Sequence, residues 1–322
     1  MKLLVGTYGS AIYELVVNLA EGSFREEYSA PASNASYIDV GKHFAYAVSE
    51  NGARSGAYSF EMEEGRWHRT AFVANEGADS CHVLNAGRYV LTADFGRGTV
   101  SVFSKHLEAL DKIVYVKDFG GHPHQVVALP GGTFAAANRD SNCVHIFRLA
   151  DDGEILRIVD LQTGEGSGPR FMTFDSKRQI LYLLTEWSGE VISWRTADLD
   201  TIHPSFVLNQ RILADEASGD SADIRMTRDG RFLLTSHRTR NDGISVFGVS
   251  ADGRLSKLYY RKTGAHPRSF IITPDGEHLV AACRDSRTVE LYDFNLETGF
   301  LSPMRSSFVL PGDDKPVFLA AY

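Results

Sequence analysis

The chain has 322 residues, 43% hydrophobic and 23% charged, with a formal charge of −8 and a pI near 5.8. This composition is ordinary for a folded, water-facing protein, and its acidity argues against a nucleic-acid binder, whose affinity rests on a basic surface. Cys81, Cys143 and Cys283 form an odd count without paired spacing, which fits reduced thiols in a cytoplasmic protein. MKLLVGTYGSAIYELVV, broken by Gly6 and Gly9, makes a poor signal peptide, and no stretch approaches the roughly 20 apolar residues of a membrane span.

Seven apolar runs rich in β-branched or aromatic residues follow in chain order: LLVGTY (3–8), HFAYAVS (43–49), YVLTADF (89–95), TFAAANR (133–139), ILYLLTE (180–186), FLLTSH (232–237) and HLVAAC (278–283). A further strand follows each, for example TVSVF (99–103), CVHIF (143–147), EVISW (190–194), ISVF (244–247) and TVELY (288–292). Asp-Gly pairs at Asp152, Asp229, Asp242, Asp252 and Asp275 read as turns, since Gly accepts positive φ and Asp bonds its own backbone. No segment sustains a 3.6-residue apolar period, so helix content is expected near zero.

These runs belong to a repeat. HPHQVVALPGGTFAAANRDSNCVHIF from His122, GPRFMTFDSKRQILYLLTEWSGEVISW from Gly168 and HPRSFIITPDGEHLVAACRDSRTVELY from His266 are its clearest copies, with a weaker one from Ser80. Ser36, His82, His124, Arg170, Ala222 and Arg268 stand at comparable positions, 46, 42, 46, 52 and 46 residues apart. Repeats of that length built from strands define propeller blades. The N-terminus lacks a first strand and KPVFLAAY at the C-terminus supplies only one. The expected fold is therefore an all-β, seven-bladed β-propeller filling residues 1–322 as one domain, its ring closed by the last strand completing the first blade.

Antiparallel pairing brings residues that open a first strand to the face where the second strand closes. The openers His82, His124, Arg170 and Arg268 and the closers Phe95, Arg139, Glu186, Arg238 and Arg284 should thus meet at one mouth of the central channel. Several arginines around one acid and one imidazole suit an anionic substrate. Glu186 is the natural general base or water-orienting group, and His124 an acid or base near neutral pH. An arginine aimed at a carbonyl stabilises developing negative charge, a donor whose removal costs about 3 kcal/mol of barrier. Ester or lactone hydrolysis needs no metal or cofactor from such parts, and none is expected.

Bland readings compete for the same residues. His82 and His124 can bond blade backbones, Arg170 and Arg268 can brace loops, Glu186 can be a structural ion partner, and Arg139 and Arg284 can pair with Asp140 and Asp285. His122 and His124 lack further metal ligands at a recognisable spacing. GEGSG (164–168) precedes no helix that would cradle phosphate, and no Gly-x-Ser-x-Gly elbow accompanies a triad.

HPHQV, GPRF with LLTEW, DGRFLLTSHR, and HPRSF with TPDG, in this order, resemble the lactonase-type seven-bladed propellers, which include bacterial 6-phosphogluconolactonases and fungal 3-carboxy-cis,cis-muconate cyclases. The resemblance covers residues 80–322 well and the first two blades loosely. It implies catalytic roles for His124, Arg170, Glu186 and Arg238 and a binding role for Arg268; His82, Arg139 and Arg284 join the expected binding set by position. The irregular SENGARSGAYSF segment leaves blade two's contacts open. The implied function is lactone hydrolysis, foremost of 6-phosphogluconolactone, by a cytoplasmic monomer or weak homo-oligomer that binds neither nucleic acid nor membrane. Two alternatives remain: a carboxymuconate-type lactonizing cycloisomerase, or a non-catalytic scaffold presenting Trp187 and Phe95 to a protein partner.

Overall fold

A computed structural model describes residues 1–196, 206–208 and 220–322. Among the described residues, 28 strands form seven four-stranded antiparallel sheets, and the helical segments are single 3₁₀ turns at Gly52–Arg54 and Pro130–Gly132. The seven apolar runs are the second strands of the seven sheets, nearly to the residue: Lys2–Tyr8, Phe44–Ser49, Tyr89–Asp94, Thr133–Asn138, Ile180–Thr185, Phe232–Arg238 and His278–Cys283. Their side chains alternate between two neighbouring blades, so both faces are buried and the runs read as continuously apolar. In Ile180–Thr185, for example, Leu181 and Leu183 pack towards blade four while Ile180, Tyr182 and Leu184 pack towards blade six.

One apolar cluster fills each of the seven interfaces between successive blades, including that between blades seven and one. The ring closes as expected. Lys315–Ala321 pairs with Lys2–Tyr8, running from Leu3 opposite Ala321 to Tyr8 opposite Lys315, and buries Val317, Phe318 and Leu319.

Four of the five Asp-Gly pairs make the expected hairpin turns, with Gly153, Gly230, Gly253 and Gly276 at positive φ. Asp242 departs from that reading. Gly243 already belongs to the third strand Gly243–Val249, and Thr239 takes the left-handed conformation instead. Asp242 Oδ1 accepts hydrogen bonds from the backbone N–H of Thr239 at 3.1 Å and of His266 at 3.0 Å, tying blade six to the entrance of blade seven.

Candidate active site at the channel mouth

The first strands of blades four, five and seven each carry a one-residue bulge. Pro123 pairs with Asn138 and Gln125 with Ala137, skipping His124; the same slip skips Arg170 and Arg268 in their blades. A proline, with no N–H to give, precedes each of these three residues, and the bulge re-aims the extra side chain. His124, Arg170 and Arg268 thus line one narrow cavity of about 10 Å³ in the channel's throat, together with Ser36, Cys81 and Val317.

His82 does not join them. In blade three the skipped residue is Cys81, because Ser80 pairs with Asp94 and His82 with Ala93. His82 is therefore in register with Gln125, Phe171 and Ser269, one step past the position expected for it. Its ring lies 3.9 Å from that of Tyr37 and 6.0 Å from that of Phe171, and it borders the concavity at the opposite mouth with Asp39 and Arg225. Setting Ser80 under the three prolines, rather than His82 under His124, would have identified Cys81.

The closing residues of the second strands form the rim. Glu186 is held by its backbone, donating to Gly168 O at 2.6 Å and accepting from the Ser221 N–H at 3.0 Å. Its Oε1 accepts a hydrogen bond from Arg238 Nη2. Its Oε2 lies 3.5 Å from Arg170 Nε and 3.8 Å from Arg139 Nη1, yet accepts no hydrogen bond among the described residues. Arg170, 1% exposed, donates through Nη1 to the Ala222 carbonyl and leaves its Nε unbonded; His124 Nδ1 is likewise unbonded. Buried polar atoms normally find partners, and these orphans, with the unbonded Nε of Arg238, mark a place built to meet water or a ligand.

Arg139 does pair with Asp140 as the bland reading held, but it also lies over Phe95 and Trp187, with its guanidinium carbon 4.5 Å and 5.0 Å from the ring centroids. Both rim aromatics are thereby part of the cluster. Arg284 pairs with Asp285 through two hydrogen bonds and stands further out. His266 enters where the sequence assigned it no role: its Nε2 lies 3.2 Å from Arg238 Nη1, and its Nδ1 3.4 Å from Asp285 Oδ2. Its place in the HPR turn, beside an arginine already singled out, was the available signal.

Two more residues escaped the sequence reading. Glu50 and Tyr8 close the second strands of blades two and one, as Glu186 does in blade five. The Tyr8 hydroxyl donates to Glu50 Oε2 at 2.8 Å, and Arg268 reaches both, 3.8 Å from Glu50 Oε2 and 4.8 Å from the Tyr8 ring centroid.

Burial shapes the charges here. Desolvation and the Arg170 guanidinium push Arg238 down to about 9 against the pull of Glu186, so it remains a cation at neutral pH. Desolvation lowers Arg170 as well. Burial, then the guanidinium of Arg170, drives His124 well below the ordinary histidine range, and burial with Arg238 takes His266 to about 3. Both imidazoles are neutral at pH 7. A substrate carbonyl placed against Arg170 or Arg238 would be polarised, with Glu186 Oε2 free to take a proton from an attacking water.

The family model for the lactonase, 7-bladed beta-propeller matches residues 2–317, and the chain belongs to this family. It is 30% identical over 283 residues to a Klebsiella pneumoniae 6-phosphogluconolactonase, covering 82% of this chain and 81% of the relative. Two crystal structures named as candidate 6-phosphogluconolactonases superpose with a TM-score of 0.91: one from Bacteroides uniformis at 32% identity, covering 99% of this chain and 98% of that one, and one from Bacteroides fragilis at 29%, covering 99% and 97%.

Proposed function

We propose that the protein is a lactone hydrolase that opens 6-phosphogluconolactone to 6-phosphogluconate, a step of the pentose phosphate route. The observation that carries this reading is the unbonded Oε2 of Glu186, a carboxylate oxygen buried beside Arg170, Arg238 and Arg139. Glu186 draws a proton from water as it attacks the lactone carbonyl. The guanidinium of Arg170 or Arg238 takes up the negative charge that develops on the carbonyl oxygen, and as the bond from that carbon to the ring oxygen breaks, Glu186 passes the proton it took from water to the leaving oxygen. His124 bonds the substrate as a neutral imidazole. The remaining cations, Arg268 in the throat and Arg139 and Arg284 on the rim, hold the anionic substrate. Family membership and the named relatives support the same substrate class.

We place the enzyme in the cytoplasm as a monomer or weak homo-oligomer. Its three cysteines are free and buried, in keeping with a reducing compartment, and no helix among the described residues is long and apolar enough to cross a membrane. The test is acid release from freshly made 6-phosphogluconolactone, corrected for spontaneous opening. The parent is expected to exceed the uncatalysed rate by several orders of magnitude. A parent rate equal to the blank across a panel of lactones would overturn the reading.

A further inference from the structure

We propose that Glu50 and Tyr8 form a hydroxyl-recognising subsite across the mouth from Glu186, which selects polyhydroxylated lactones over plain ones; the inference builds on the lactone-opening reading. The residues closing the seven second strands run Tyr8, Glu50, Phe95, Arg139, Glu186, Arg238 and Arg284 around the rim. Two of them are carboxylates, in blades two and five, which puts them on opposite sides of the ring. Their surroundings differ. Glu186 is hemmed in by three guanidinium groups and its side chain is 9% exposed, whereas Glu50 faces Arg268 and a phenol and is 21% exposed.

Among the described residues only Tyr8 donates a hydrogen bond to the Glu50 carboxylate. A carboxylate accepts about four such bonds, so most of its capacity remains for a ligand. Burial keeps the Tyr8 phenol protonated, and its O–H fixes Oε2 in place. An acceptor of this kind suits neutral hydroxyl donors, since charge-assisted O–H to carboxylate bonds are short and strong. Its charge also repels phosphate. A phosphorylated sugar lactone with its hydroxyls on Glu50 would turn its phosphate away from that carboxylate, towards Arg139 in blade four or Arg284 in blade seven. The subsite thus recognises the polyol and orients the substrate over Glu186.

The experiment compares kcat/KM for glucono-1,5-lactone and δ-valerolactone in the parent, Glu50→Ala, Glu50→Gln and Tyr8→Phe. The ratio of the two constants is expected to fall by about 10- to 100-fold in Glu50→Ala and less in Glu50→Gln, which keeps an acceptor oxygen. Tyr8→Phe, which loosens the carboxylate without removing it, should move the ratio the same way and serves if Glu50→Ala does not fold. Equal loss on both lactones, or an unmoved ratio in every variant, overturns the inference. Calorimetric titration with gluconate and 5-hydroxypentanoate separates it from the enzymatic reading. If the parent opens no lactone yet binds gluconate more tightly, through Glu50, the subsite stands and lactone hydrolysis falls.

Discussion

Glu186→Gln is expected to lower kcat by about 10²- to 10⁴-fold while the protein still binds 6-phosphogluconate. The amide keeps the size of the side chain and an oxygen for the Arg238 hydrogen bond, but it cannot take a proton from water. It also removes the one negative charge that Arg170, Arg238 and Arg139 share. Breaking a buried ion pair by removing one partner costs about 3–5 kcal/mol, because the other charges stay buried. Part of that cost returns when an anionic ligand supplies the missing charge, so the variant should melt lower than the parent when free and recover more when 6-phosphogluconate is added. Steady-state kinetics with paired melting curves checks both halves. A variant with near-parent kcat would remove Glu186 from the chemistry, and a stable variant that no longer binds product would make the glutamate a binding group instead.

Acidification is expected to unfold the protein through its histidines before its exposed carboxylates respond. Burial is the leading cause that lowers His82, His124, His145, His237 and His266, to about 4 for His145, about 3 for His237 and His266, and well below the ordinary range for the other two. Each is neutral when folded and takes a proton near pH 6.5 when unfolded. The unfolded chain therefore binds more protons between pH 6.5 and the folded values, and stability falls as pH falls across that window. Each histidine contributes about 1.4 kcal/mol per pH unit there, against a total stability of about 5–15 kcal/mol.

Asp39 and Asp94, whose carboxyls burial raises, pull the other way, but they are two against five. The ion-paired Asp140 and Asp285 lie below the usual carboxylate range and act only at lower pH. Thermal melts from pH 7 to pH 4 should show a steep fall in Tm beginning near pH 6, and a flat profile to pH 4.5 would contradict the assignment. Because His124 and His266 do not titrate near neutrality, catalysis should show no inflection near pH 6.5.

The second strands were legible because both faces of each are buried, which leaves a run of apolar residues that no alternation interrupts. Closure was legible because an orphan first strand at one end matches a missing one at the other. The throat position of blade three was not legible from its histidine. The bulge that aims these residues is a skip in backbone pairing, and the three prolines, not the imidazoles, mark where it falls; hence Cys81 lines the throat and His82 faces the other mouth.

Blade two hid its rim carboxylate for a different reason. Its loop repeats poorly, although Glu50 follows its second strand just as Glu186 follows Ile180–Thr185. Asp242 read as a turn residue by its pairing with Gly, while its actual work is a tie from blade six to the backbone of His266, a contact made 24 residues away.

The most direct test of the central claim, that basic groups from different blades gather around Glu186 to receive a lactone, is a crystal structure with 6-phosphogluconate bound. The product carboxylate is expected within hydrogen-bond reach of Arg170 or Arg238, next to Glu186, with the hydroxyls towards Glu50 and the phosphate on Arg139 or Arg284. Product bound instead at the opposite mouth, beside His82 and Arg225, would contradict it.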